Sequence, residues 1–596
     1  MATSDEGNSE TLSKMNANLA RIESLTQRLI AAFAQKKPQR PDLQAPDPSL
    51  FVNATNAYWS EMMQNPSKIL EQQVGYWGKT LSHFVEAQEA LRSGNLAAPE
   101  DNSPADKRFS NEMWASHPYF NFIKQQYLAS SQAVEQAIAD LDGIDAREKA
   151  RLEYFGRQII DMMAPTNFLG TNPEALMKAV ETEGESLVRG LENLVRDIEA
   201  NDGELLVTLA DTEAFEVGGN IGTSEGAVVY RNRMFELIQY TPQTEKVHET
   251  PLLIFPPWIN KFYILDLKAQ NSLIKWIVEQ GYTLFVVSWV NPGKDYADVG
   301  LDTYVEEGFL QAIAKVKEIC GVKTINTIGY CIAGTTLSLT LSLMHKRKDK
   351  SVKSATFFTT LTDFSDQGET GVFLEDDFVD AIEAEARAEG YLRSYFMTKT
   401  FSFLRSNDLI YGPAIRSYML GETPPAFDLL FWNGDGSNLP GRMTIEYLRG
   451  LCQANRFCEE GFDLLGETLH IRDVKVPVCS VACETDHIAA WQSCFNGFAQ
   501  MGSTNKTFIL SESGHIAGIV NPPTKKKYGH YTSDAAIVEG EAQAWREEGE
   551  FNAGSWWPRW EEWLKSRSGK MIPARPLPED TLAPAPGTYV TAKPGT

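Results

Sequence analysis

Residues 325–336 read I-N-T-I-G-Y-C-I-A-G-T-T and put a cysteine where it could do chemistry. An apolar β-branched run ends at Gly329, and Cys331 follows two places on. Ala333 and Gly334 come next, ahead of an apolar helical run from Thr335 to Met344. A strand that turns this sharply into a helix strains the residue at the corner, so its neighbours must be small. This is the thiol version of a nucleophile elbow. The helix beginning at the turn aims its N-terminal partial positive charge at the sulfur, which favours thiolate over thiol. The backbone N–H of Ile332 faces the place where a tetrahedral oxyanion would form. The plainer use of the same pattern is a buried cysteine in a glycine-containing turn.

An elbow requires partners in the chain order nucleophile, acid, base, each just past a strand end. V-A-C-E-T-D-H-I-A-A-W places Asp486 after an apolar strand, and I-L-S-E-S-G-H-I-A-G-I-V-N-P-P places His515 after the next. Of eight histidines, His83, His117 and His248 precede the elbow, and His345 lies at the far end of its helix. His470 precedes the acid strand, His530 sits in a polar loop, and His487 is the nearest rival to His515. Asp486 has a plainer use as the N-cap of a helix over 488–500, compatible with the catalytic one. A second oxyanion donor is expected from P-P-W-I-N-K-F-Y-I-L-D-L at 256–267. Pro256 and Pro257 have no N–H, so Trp258, Ile259 or Asn260 must donate.

The elements needed to position these groups are legible after Glu204. Apolar runs at 252–256, 283–289, 324–329, 354–360, 476–483 and 506–512 alternate with helical patterns at 264–280, 302–319, 335–344 and 488–500. That order predicts an α/β-hydrolase fold with a mostly parallel sheet covered on both faces. Residues 362–470, rich in aromatics and polar turns, interrupt it and are expected to form a cap or lid. The preceding chain reads as a helical N-terminal extension over 1–108 and a helical domain over 109–204, leaving 205–596 as the catalytic domain. Within the extension, 19–33 and Trp59 to Leu91 have helical spacing. Pro-rich linkers are expected at 35–49 and 95–108. Asn172 followed by Pro173 is a helix start.

The 596 residues are too many for one core, and 43% hydrophobic with 22% charged is ordinary for a soluble globular protein. A formal net charge of −24 disfavours a nucleic-acid partner. Seven scattered cysteines without a CxxC pair suggest reduced thiols in a cytosol and no zinc site, and no cofactor or metal is expected. No secretory signal and no apolar run long enough to span a bilayer is visible.

Together, GYCIAGTT, PPWINKFYILDLK, TFSFLRSNDLIYG, FDLLFWNGDGSNLPG, ETDHIAAW, SGHIAGIVNPP and GSWWPRW resemble the polyhydroxyalkanoate synthases, from about Phe109 to Trp560. The likeness is to the single-subunit class I type, which polymerises short (R)-3-hydroxyacyl-CoA. Ala333 stands where many members have glycine. The resemblance implies that Cys331 carries the growing chain as a thioester and that His515 deprotonates the thiol. Asp486 would orient His515 or help activate the 3-hydroxyl. It also implies a homodimer acting in the cytoplasm at the granule surface, with the growing polyester and granule-associated proteins as partners. Phe427, Phe431 and Trp432 of the insertion would supply apolar cover against hydrolysis. Rival readings are a cysteine hydrolase on the same scaffold (a lactone hydrolase or polymer depolymerase) and a non-catalytic granule-binding protein.

Overall fold

The computed structural model describes residues 3–35, 49–64, 106–201 and 203–592. Most of the two expected linkers, and the expected Trp59–Leu91 helix beyond Gln64, lie outside these residues. The chain forms two units. The first runs to Asp211 and takes in Ser402–Pro425; the second holds Thr212–Phe401 and the chain from Ala426 on.

The first unit is helical, with helices Thr3–Gln35, Ser49–Gln64, Pro118–Ala139, Ala146–Met162, Pro173–Glu181 and Glu185–Ala200 among them. Asn172 caps one of these, its side chain accepting from the Ala175 N–H at 3.1 Å, with Pro173 in the first turn. Arg21 pairs with Glu185 at 3.0 Å and Glu192 at 2.8 Å, joining the first helix to Glu185–Ala200. The middle of the insertion belongs here because Glu185–Ala200 is built to receive it. A Cβ on Gly190 would fall 1.9 Å from the Tyr418 carbonyl oxygen, so only glycine admits that backbone. Asn193 donates to the Ser417 carbonyl at 3.0 Å, and the Tyr418 hydroxyl donates to buried Asp197 at 2.8 Å.

The second unit is built on an eleven-stranded sheet. In chain order its strands are β1 Gly226–Arg231, β2 Phe235–Tyr240, β3 Leu252–Phe255, β4 Leu284–Trp289, β5 Ile325–Tyr330, β6 Val352–Phe358, β7 Val478–Cys483, β8 Lys506–Ser511, β9 His530–Thr532, β10 Glu550–Asn552 and β11 Ala583–Pro584. They lie in the order β10-β9-β8-β7-β6-β5-β3-β4-β2-β1-β11. The six strands from β4 to β8 through β3 are parallel, and the flanking ones are antiparallel. This is the α/β-hydrolase fold. β3, β4, β5 and β7 are buried at every position, as unalternating apolar runs require of a sheet covered on both faces.

All six apolar runs read from the sequence are the six parallel strands. The antiparallel strands were not foreseen, and the 264–280 helix differs. A short 3-10 turn, Phe262–Asp266, comes first, and the α-helix is only Leu273–Glu279. Ser272 breaks the run. Its hydroxyl donates to buried Asp266 at 2.5 Å and accepts from the Lys275 N–H at 2.9 Å, capping the shorter helix. Apolar periodicity is blind to a break made by side-chain hydrogen bonds.

Candidate active site

Cys331 stands between β5 and the helix Ile332–Lys346 with φ 54° and ψ −126°, a conformation that an L-residue adopts only under constraint. Three backbone hydrogen bonds impose it. The Cys331 N–H donates to the Phe358 carbonyl at 2.9 Å, and the Cys331 carbonyl accepts from Gly334 at 2.8 Å and Thr335 at 3.2 Å. The turn closes tightly enough that a Cβ on Gly329 would lie 2.6 Å from Gly334 Cα. A Cβ on Gly334 would lie 2.0 Å from Thr360 Oγ1. The helix behind is buried from Ile332 through Met344, which fixes the corner against the sheet.

Asp486 follows β7 and His515 follows β8, parallel neighbours in the sheet. The two loops are stitched together: the Glu484 N–H donates to the Ser511 carbonyl and the Thr485 N–H to that of Ser513, at 2.8 and 3.0 Å. Asp486 Oδ1 accepts from the backbone N–H groups of Ile488 and Ala489 at 2.8 and 2.9 Å. It therefore caps this turn, while the helix itself starts later than expected, at Trp491. Asp486 Oδ2 lies 2.7 Å from His515 Nδ1, and the aspartate side chain is 0% exposed. Cys331 completes the set as a hydrogen-bonding and electrostatic partner of His515. Burial works against the imidazolium. The Asp486 carboxylate and the Cys331 sulfur outweigh it, so the His515 pKa is pushed up to about 10. Burial raises the other thiols, Cys452, Cys458, Cys479, Cys483 and Cys494 above their ordinary range and Cys320 to about 11, with the Asp486 carboxylate adding to it at Cys483 and Cys494.

The expected oxyanion donors fall on two elements. Ile332 is the first residue of its helix, so its N–H has no acceptor within that helix. Phe255 pairs in register with Gly329, so the chain leaving β3 through Pro256 starts beside the elbow. Trp258 is buried, stacked on Tyr304 at 4.3 Å between ring centroids. The Ile259 carbonyl accepts from the Ser437 N–H at 2.8 Å, and Asn260 bridges to Gly436. Of the expected aromatic cover, Trp432 is buried in the same apolar cluster against which Cys331 and Phe431 pack, whereas Phe427 is 47% exposed.

Several positioning residues carried no role at the level of sequence. The Tyr330 hydroxyl donates to the His515 carbonyl at 3.1 Å. The indole N–H groups of Trp556 and Trp557 donate to the carbonyls of Gly518 and Ile519 at 2.7 and 2.9 Å, and Trp560 donates to Thr356 Oγ1 at 3.0 Å. Trp556 and Trp557 hold the histidine loop from behind, and Trp560 ties the same helix to β6. The available signal was the W-W-P-R-W run, three indoles on one helical turn.

Residues 105–277 match a family model described as "Poly-beta-hydroxybutyrate polymerase (PhaC) N-terminus". The chain is 37% identical to a poly(3-hydroxyalkanoate) polymerase subunit PhaC of Rhizobium meliloti, over 91% of this chain and 88% of that one. It is 40% identical to a poly(3-hydroxyalkanoate) polymerase of Methylorubrum extorquens, over 89% of this chain and 88% of the relative. It is 38% identical to the PhaC subunit of Cupriavidus necator, over 82% and 83%. Among solved structures, a soluble variant of monoglyceride lipase from Saccharomyces cerevisiae aligns at 11% identity with a TM-score of 0.36, covering 60% of this chain and 99% of that one. With relatives this similar over nearly its whole length, the chain belongs to the poly(3-hydroxyalkanoate) polymerase family.

Proposed function

We propose that this protein polymerises short-chain (R)-3-hydroxyacyl-CoA into polyhydroxyalkanoate, releasing CoA, as an acyltransferase that works through an acyl-Cys331 thioester. The observation that carries the reading is the buried His515 imidazole, held at 2.7 Å by Asp486 on one side and in contact with the Cys331 side chain on the other. His515 takes the thiol proton, and the thiolate attacks the thioester carbonyl of the substrate. The oxyanion is met by the Ile332 N–H and by one N–H among Trp258, Ile259 and Asn260. The tetrahedral adduct collapses by breaking the bond to the CoA sulfur, which leaves with the proton from His515.

One thioester has then replaced another at nearly equal free energy, so the acyl group stays activated for transfer. In elongation the 3-hydroxyl of one unit attacks the thioester carbonyl of another. His515 takes the hydroxyl proton, and the leaving cysteine sulfur ends the step as thiol or thiolate. A serine ester would be a poorer donor for making a further ester. Full burial of the Asp486 carboxylate, with both oxygens engaged, supports a role in orienting His515 over direct contact with the substrate hydroxyl.

The same reading includes a cytoplasmic homodimer at the granule surface, with the polyester chain and granule-associated proteins as partners. No helix among the described residues is long and apolar enough to cross a membrane. The test is incubation with (R)-3-hydroxybutyryl-CoA, scored for CoA and for insoluble polymer against free acid. Polymer with stoichiometric CoA, abolished in Cys331→Ala, is the expected result. Free acid alone would make the protein a hydrolase, and unchanged CoA release in Cys331→Ala would remove the cysteine from the mechanism.

A further inference from the structure

The loop after β3 has no regular structure of its own over Pro256–Lys261, yet an oxyanion donor must be held to within a few tenths of an ångström. What holds it comes from a distant part of the chain, the 428–438 segment of the insertion. The Ser437 N–H donates to the Ile259 carbonyl at 2.8 Å, inside a one-bridge antiparallel pairing of Asn260 with Gly436. The Trp432 indole N–H donates to the Lys261 carbonyl at 2.7 Å. Asp435 reaches the end of the loop and the turn that follows it: Oδ1 meets Lys261 Nζ at 2.8 Å, and Oδ2 accepts from the Tyr263 hydroxyl at 2.8 Å. Tyr263 is fully buried and the Lys261 side chain is 11% exposed, while the Asp435 side chain is 28% exposed, so the two contacts are partly shielded from water. The far end of the segment is also anchored, Asn438 accepting from the Ser394 N–H at 2.9 Å and donating to the Pro292 carbonyl at 3.2 Å.

We propose that Asp435 is a positioning residue of the acyl-transfer site: bridging Lys261 and Tyr263, it fixes the loop whose backbone N–H completes the oxyanion hole. The insertion is then a structural part of the catalytic centre as well as a cover. Displacing this segment would withdraw the second oxyanion donor, so acylation is coupled to the seating of the insertion, with Asp435 as one of its links. The assignment rests on the reading that residues 258–260 donate to the oxyanion.

The test uses the full chain with (R)-3-hydroxybutyryl-CoA, comparing Asp435→Asn and Tyr263→Phe with the parent in single-turnover CoA release, steady-state kinetics and thermal midpoint. Losing an oxyanion donor outright costs about 10²–10³-fold in kcat. Loosening one is expected to cost on the order of tenfold or more in the acylation rate, with KM and the thermal midpoint little changed. Tyr263→Phe removes a single hydroxyl and decides the matter if Asp435→Asn fails to fold. Parental acylation rates in the folded variants, or a rise in KM with kcat intact, would overturn the proposal. If Cys331→Ala also retains CoA release, the proposed function has failed; if Cys331→Ala is inactive while Asp435→Asn and Tyr263→Phe acylate normally, only this inference has.

Discussion

Exchanging Asp486 for asparagine changes one atom at the centre of the site, and the geometry dictates how the new side chain must sit. Oδ1 accepts from two backbone N–H groups, at 2.8 and 2.9 Å, so that position must remain an oxygen. The amide nitrogen is therefore forced to the Oδ2 position, 2.7 Å from His515 Nδ1. A carboxylate there accepts the Nδ1 proton and leaves Nε2 free to act as base. An amide donates to Nδ1 instead and moves the ring proton to Nε2, where it faces the cysteine and blocks deprotonation. The same exchange in a Ser-His-Asp triad costs about 10⁴-fold in kcat. A thiol needs less help than a hydroxyl, so acylation is expected to fall on the order of 10³-fold in Asp486→Asn. Rapid-quench measurement of CoA release in a single turnover reads acylation separately from chain growth. Acylation within about tenfold of the parent, together with a collapse in polymer growth, would refute the tautomer argument. It would place Asp486 at the 3-hydroxyl instead.

Gly329→Ala would put a methyl 2.6 Å from Gly334 Cα. A loss of about 1–3 kcal/mol in denaturant unfolding is expected, with slower alkylation of Cys331 by iodoacetamide; unchanged stability would mean that the elbow can widen. Trp556→Phe removes the indole donor from the buried Gly518 carbonyl, which keeps the Ser511 hydroxyl at 3.0 Å, and is expected to cost about 1 kcal/mol, with kcat falling as the histidine loop loosens. Stability and kcat both within error of the parent would contradict that role. His515 holds its proton more tightly when folded, its pKa raised from 6.5 to about 10. The stabilisation is therefore fully present below pH 6.5 and is lost as pH rises through 10. The thermal midpoint should decline over that range, and Asp486→Asn should flatten the decline; identical slopes in the two proteins would refute the assignment.

Local pattern alone accounts for much of this protein. Six unalternating apolar runs fixed the parallel core, because strands buried on both faces have no polar positions to alternate. G-Y-C-I-A-G marked the elbow, because a backbone at φ 54° with a 2.6 Å approach behind it admits only small neighbours. The chain order Cys331, Asp486, His515 followed from that corner. The rest depends on contacts made only once the chain is folded. The antiparallel strands β1 and β2 lie inside β11 and mix polar with apolar residues, so they carry no distinctive run. Ser272 starts its helix late, at Leu273, because Asp266 is placed to receive its hydroxyl. Ser402–Pro425 left the rest of the insertion because Gly190 offered it a backbone surface. Asp435, Tyr330 and the three tryptophans gained their roles in the same way. A hydrogen bond between side chain and loop leaves no period in the sequence, since its two partners meet only after the sheet has set the distance between them.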